Sequence, residues 1–473
     1  MDLSYVKTLD VDMPEELVRL KYAGMFDEFE RRAAYHLSRP ELPDALKKRI
    51  ELEIHNGKLI KREYTLTEEE LVAQIAESAP GFTASDLDKI ADSLDYVIIE
   101  GEKRYVSFSK IALFKSHPAL MNWPGSTYPK DDRTFLEGVI SRMKEKGGLA
   151  VDIDITTGME IDEKTAKGAD LKVHVPFPTE KAFGMKNVRF IESEGECQVA
   201  PDTALQRTAC FTAKGDERRR FTLRAGGTYE VKYMSFDEMK KLHDEAVARG
   251  EKLPEFSVPG PDTKDGVWES DLSEKAPQIV FTPFIKALSE KIVGDETDKL
   301  LIAKKIYDFM VNNFRYSYVR DYASIENLGE YFALRGRGDC GLQALLFIVL
   351  ARYNGIPARW QSGITTEPEG AGSHDWAIAY FTGVGWRPVD PSFGGGERRN
   401  GTDDNTDFYF GNTDPYRWIF NVDIQEEFTS PKSQYRCDPY DSQIGEAETA
   451  DRQITYADID FIRKFNVREE REI

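Results

Sequence analysis

At 473 residues, 40% of them apolar and with 27 Phe and 21 Tyr, the chain is too long for one ordinary core and too aromatic for a disordered polymer. Its formal charge of −20 disfavours bulk adsorption to nucleic acid or anionic membrane, and four cysteines are too few for a disulfide scaffold. No apolar run approaches the roughly 20 residues that span a bilayer. Met1-Asp2-Leu3 lacks the basic and apolar regions of a signal peptide, so the expected location is the cytoplasm, with export open if the natural chain starts earlier.

Three changes of character divide the chain into a mainly helical region over 1–120, a β-sandwich over 148–235 and a third domain over 282–473. Leu17, Leu20, Met25, Phe29 and Ala33 predict a helix within Glu15–Leu37. Thr67-Glu68-Glu69-Glu70 has the form of a capping box, followed by Leu71, Ile75 and Ala76 on one side. A short helix over Asp86–Leu94 and a hairpin of Tyr96–Ile99 with Arg104–Val106 come next. Helix, helix, hairpin is the order of a winged-helix module, but acidic residues outnumber basic ones and no basic stripe lies on the second helix. A scaffold or substrate-rim role is therefore expected, without a nucleic-acid partner.

From Gly148 the pattern alternates with period two: Val151–Ile155, Leu171–Val175, Phe221–Leu223, then Tyr229–Tyr233 across Gly226-Gly227. Cys197 and Cys210 flank a turn here and are read as small buried residues. A Pro- and Gly-bearing connection runs from Pro254 to Gly266. Beyond Thr282, residues 285–314 predict one or two helices, leaving as extended chain at Phe314–Tyr318.

The chemistry concentrates after Gly336. Gly338 and Asp339 supply a turn and an N-cap, placing Cys340 in the first turn of a helix whose apolar face carries Leu342, Leu345, Leu346, Val349 and Leu350. The helix dipole and free N–H groups there favour thiolate and can receive an oxyanion. Strands at 358–363 and 374–380 follow, and a tight turn at Thr382-Gly383 leads to 385–391. Antiparallel pairing across that turn brings His374, the general base, beside Asp390, its orienting partner. Asp375 is the rival third member, but neighbouring strand residues face opposite ways, so it should point away. His36, His55, His117, His174 and His243 have no comparable partner pattern. Trp360, Trp376 and Trp386 are groove wall or core; Tyr316, Tyr318 and Tyr331 are candidates for a second oxyanion donor. Asp403, Asn405 and Asp407 alternate like the opening of a calcium loop but lack its Gly and terminal Glu, so a polar surface loop is expected, with no metal or cofactor.

Gly338-Asp339-Cys340, Ala344, Leu350-Ala351-Arg352, Gly355-Ile356-Pro357-Ala358-Arg359, His374-x-Trp376, Tyr380, Gly385-Trp386, Pro388 and Val389-Asp390-Pro391 together resemble the transglutaminase-like superfamily, relatives of papain in mechanism. The resemblance covers about the last 180 residues. It implies an α+β fold, often with a β-sandwich ahead of the catalytic domain, and Cys340, His374 and Asp390 as nucleophile, base and third member. Members include crosslinkers, peptidases, amidases and inactive relatives. Hydrolysis of protein or peptide amides is expected first, a protein-glutamine transglutaminase second, and an inactive binding or scaffold protein third. The oligomeric state is open.

Overall fold

The computed structural model describes residues 3–129, 133–259, 265–368 and 372–473. Met1-Asp2, and part of the connection expected over 254–266, lie outside them.

The fold mixes helices with several sheets. Where one N-terminal helix is expected there are two, Glu15–Tyr22 and Phe26–Leu37, because Gly24 takes φ +71° and breaks the run. A third helix, Asp44–Glu63, lies against them. Thr67 forms the expected capping box with Glu70, and Tyr96–Ile99 pairs antiparallel with Glu102–Tyr105. This module has its own small core of Leu71, Ile75, Leu87 and Leu113.

Two sheets build the sandwich. One has the order Ile459–Glu472, Gly148–Ile161, Arg220–Lys232, Met185–Ser193; the other runs Gln453–Ile454, Glu446–Glu448, Asp170–Pro176, Thr208–Lys214, Gln198–Val199. Strand pairing thus crosses the division drawn at residue 282. The chain's last segments close both sheets, and one continuous core runs from Leu3 through the sandwich to Ile459. Gly226-Gly227 is not an interruption but the middle of a 13-residue strand. A side chain at 226 would fall 2.4 Å from Arg189 Nε, and one at 227 would fall 3.2 Å from Trp418. The glycines make room for an arginine that bonds Asp152 and Asp154, and for the tryptophan. All four cysteines are free thiols, Cys210 buried and Cys197 half-buried.

The C-terminal part centres on the helix Cys340–Tyr353. Residues 341–352 are all buried, so the helix is enclosed on every side rather than along the one face that spacing suggests. Helices Pro283–Val293, Lys299–Asn313, Leu328–Arg335 and Pro391–Asn400 pack around it. Against it lies an antiparallel sheet of order Gly385–Val389, Ser373–Phe381, Ala358–Thr365, Arg417–Asn421. Trp360, Trp376 and Trp386 are buried, so they are core rather than groove wall. No helix among the described residues is long and apolar enough to cross a membrane.

Candidate active site

Cys340 is the first residue of its helix, and Asp339 caps it by accepting from Leu342 N at 3.2 Å and from the Tyr322 hydroxyl. The short strand Arg315–Tyr316 runs parallel to Arg337–Gly338, which seats Tyr316 opposite the turn that delivers the cysteine.

On the sheet, His374 Nε2 lies 2.8 Å from Asp390 Oδ2. The imidazole stacks over Trp376 at 5.6 Å and meets Phe393 at 4.5 Å. Asp390 caps the helix Pro391–Asn400, its Oδ1 accepting from Phe393 N at 3.0 Å, while Arg417 Nη1 donates to Oδ2 at 2.7 Å. Arg417 also donates from Nε and Nη2 to Asp414 Oδ2, at 3.0 Å each. Burial pushes Asp390 up, but the charges of His374 and Arg417 outweigh it and hold the carboxyl at about 2. Burial lowers His374, with Asp390 opposing. An ionised Asp390 only accepts, so the neutral ring carries its proton on Nε2 and keeps the Nδ1 lone pair for a proton from elsewhere.

The thiol departs from expectation in two ways. Asp375 does not face away from it: the strand does alternate, with His374 towards Asp390, but the helix tip lies on the Asp375 side. Cys340 Sγ donates to Asp375 Oδ2 at 3.4 Å, its hydrogen bond among the described residues. Nor is a resting thiolate favoured, because burial, followed by the charges of Asp375 and Asp339, pushes the thiol well above its ordinary range. Burial and then Asp441 and Asp339 likewise push Asp375 up. Desolvation at this enclosed helix tip outweighs the dipole. Gln443 Nε2 fastens the arrangement, donating to His374 O at 3.0 Å and to Asp375 Oδ1.

Asp375→Asn removes one carboxylate that holds the proton on sulfur. The midpoint of iodoacetamide alkylation at Cys340 should therefore move to lower pH. Peptide mass mapping checks this, with Cys437, which burial pushes up to about 12, as internal reference. An unmoved midpoint would mean that Asp375 does not govern the thiol.

Of the three tyrosines, Tyr331 accepts from Arg335 Nη1 at 2.6 Å and Tyr318 packs against Phe108. Tyr316 lies within electrostatic reach of the thiol, with no hydrogen bond to its hydroxyl among the described residues. Asp403–Thr406 is a short helix rather than a loop; Asn405 accepts from Lys144 and Asp407 pairs with Lys304. Sequence reasoning missed Arg417, Asp441 and Gln443, which reach the site from other segments. Asp375, weighed from sequence as a rival partner for His374 and expected to face away, instead meets the thiol.

Residues 286–391 match the sequence model of the Transglutaminase-like superfamily. A search of curated proteins finds no match. Among solved structures, the chain is similar to a candidate cysteine protease from Cytophaga hutchinsonii, 14% identical over 69% of this chain and 91% of that one, with a TM-score of 0.41. It is also similar to the periplasmic domain of TgpA from Pseudomonas aeruginosa, 12% identical over 57% of this chain and 94% of that one, with a TM-score of 0.27.

Proposed function

We propose, from the premise that residues 286–391 form a transglutaminase-like core, that this protein hydrolyses protein or peptide amides through Cys340, His374 and Asp390. The observation that carries the reading is the chain Arg417–Asp390–His374, which fixes the imidazole as a neutral base with Nδ1 open. No hydrogen bond joins Cys340 to His374 among the described residues, so the reading requires substrate entry to free the thiol from Asp375 and bring it to the imidazole. Sulfur attacks the carbonyl carbon as Nδ1 takes the thiol proton, and Asp390 stabilises the imidazolium. The backbone N–H at the helix tip faces the developing oxyanion. The C–N bond breaks, the amine leaves with the proton from His374, and a thioester remains. Water then attacks the thioester while His374 accepts its proton, releasing the acid and restoring the thiol.

Water as second acceptor is the simpler case, since crosslinking needs a site that admits a bulky amine ahead of water. A casein substrate with a fluorescent amine separates the two: new peptide termini mark hydrolysis, and incorporated label marks a transglutaminase. The neutral thiol bonded to Asp375 favours a second reading, a binding protein that keeps the fold without turnover. Neither termini nor label at any pH would support it.

A further inference from the structure

The helix that begins at Asp390 contains Gly394-Gly395-Gly396, and each glycine in a helix interior costs about 1 kcal/mol relative to alanine. The structure shows what two of them allow. A Cβ at 395 would lie 3.2 Å from Arg399 Nη1, and one at 396 would lie 3.2 Å from Arg133 Nη1. Two guanidinium groups therefore rest against bare helix backbone. Arg133 pairs with the buried Glu397. Among the described residues Arg399 has no ion pair, and its Nε, like that of Arg133, is sealed from solvent without a hydrogen-bond partner. Burial and the charge of Arg133 lower Arg399 to about 10, Tyr316 opposing and Arg315 adding to the repulsion. A half-buried cation crowded by like charges in a chain of net −20 is out of keeping with a structural ion pair. It has the form of a site that waits for an anion.

The position links it to the thiol. The same helix packs on the strand Arg315–Tyr316, and Tyr316 lies within electrostatic reach of both Arg399 and Cys340.

We propose that Arg399, laid across the glycine face and backed by Arg133, is a docking point for a substrate carboxylate, so that the preferred amides are flanked by acidic residues. That the ligand is a substrate rests on the acyl-transfer reading; the anion site does not.

The test uses the full-length Cys340→Ser protein and dye-labelled octapeptides with a central glutamine, flanked by glutamates in one and by glutamines in the other. Anisotropy should show the glutamate peptide bound more tightly by about tenfold, the worth of a charge-assisted pair. Arg399→Gln should erase that preference and leave the neutral peptide's affinity unchanged, and Arg399→Lys should restore part of it. Arg399→Gln should also melt no lower than its parent, because it removes an unpaired, desolvated charge; a fall in melting temperature would mark the arginine as structural. Equal binding of the two peptides, or a preference that survives Arg399→Gln, overturns the proposal. Tighter binding of a phosphoserine peptide than of the glutamate peptide overturns the carboxylate assignment. Turnover is read separately on the protein with Cys340 intact: if it never cleaves the glutamate peptide that the Cys340→Ser form selects, the catalytic reading alone fails. If it turns over both peptides equally and the Cys340→Ser form binds them equally, the anion site alone fails.

Discussion

Replacing Cys340 with alanine is expected to lower amide hydrolysis by about 10⁴-fold or more, the scale seen when a covalent nucleophile is removed. The substitution deletes one half-buried sulfur whose hydrogen bond among the described residues is to Asp375, so the fold should persist and the loss should fall on turnover. His374→Ala should cost a comparable factor, and the double variant should be scarcely worse than either single one, because the two groups act as a unit. Single-turnover kinetics on a peptide that the wild type cleaves checks both statements. Activity that survives Cys340→Ala, or losses that multiply in the double variant, would remove the pair from the chemistry.

Arg417→Met is expected to destabilise the protein by about 3–5 kcal/mol, the usual penalty for stripping one partner from a buried ion cluster. Arg417 and Asp390 are fully buried and Asp414 nearly so, and the guanidinium serves both carboxylates. Methionine keeps an unbranched apolar stem but leaves two carboxylates without their cation. The sign with pH follows. Asp390 is held at about 2 in the folded state, so its ionisation adds stability above the ordinary carboxylate range and loses it as pH falls towards 2. Without Arg417 the opposition to burial weakens and the carboxyl rises. Urea midpoints measured from pH 7 to pH 3 should then fall less in the variant than in the wild type, because a folded-state carboxyl that titrates nearer its unfolded range leaves less stability to lose on acidification. The acid limb of kcat/KM follows the folded state and should move to higher pH, since a protonated Asp390 no longer fixes the His374 tautomer. Parallel midpoint curves would mean that Arg417 does not set the charge of Asp390.

Much of the local architecture could be read from the chain because its signals are short-range. The capping box at Thr67, the cysteine at a helix tip behind an Asp cap, and the strands that carry His374 and lead into Asp390 each depend on a few neighbouring residues. What could not be read comes from distant segments. Residues 446–472 complete sheets that start three hundred residues earlier, and their alternation alone does not name a partner. Arg417 lies on the far edge strand and meets Asp390 only through the sheet order. The thiol misled for a different reason: a helix N-terminus favours thiolate in partial solvent, but here Asp339 and Asp375 face it, Asp441 presses on both of those carboxyls, and desolvation outweighs the dipole. Sequence contains each of those carboxylates without revealing that they converge.

The most direct measurement is intact-mass spectrometry of the protein quenched during turnover of a peptide amide, followed by peptide mapping of the adduct. The wild type should carry the acyl fragment as a hydroxylamine-labile thioester on Cys340, and the Cys340→Ser protein should carry none on sulfur. Product formed without an adduct at residue 340, or an adduct on another cysteine, would contradict the account.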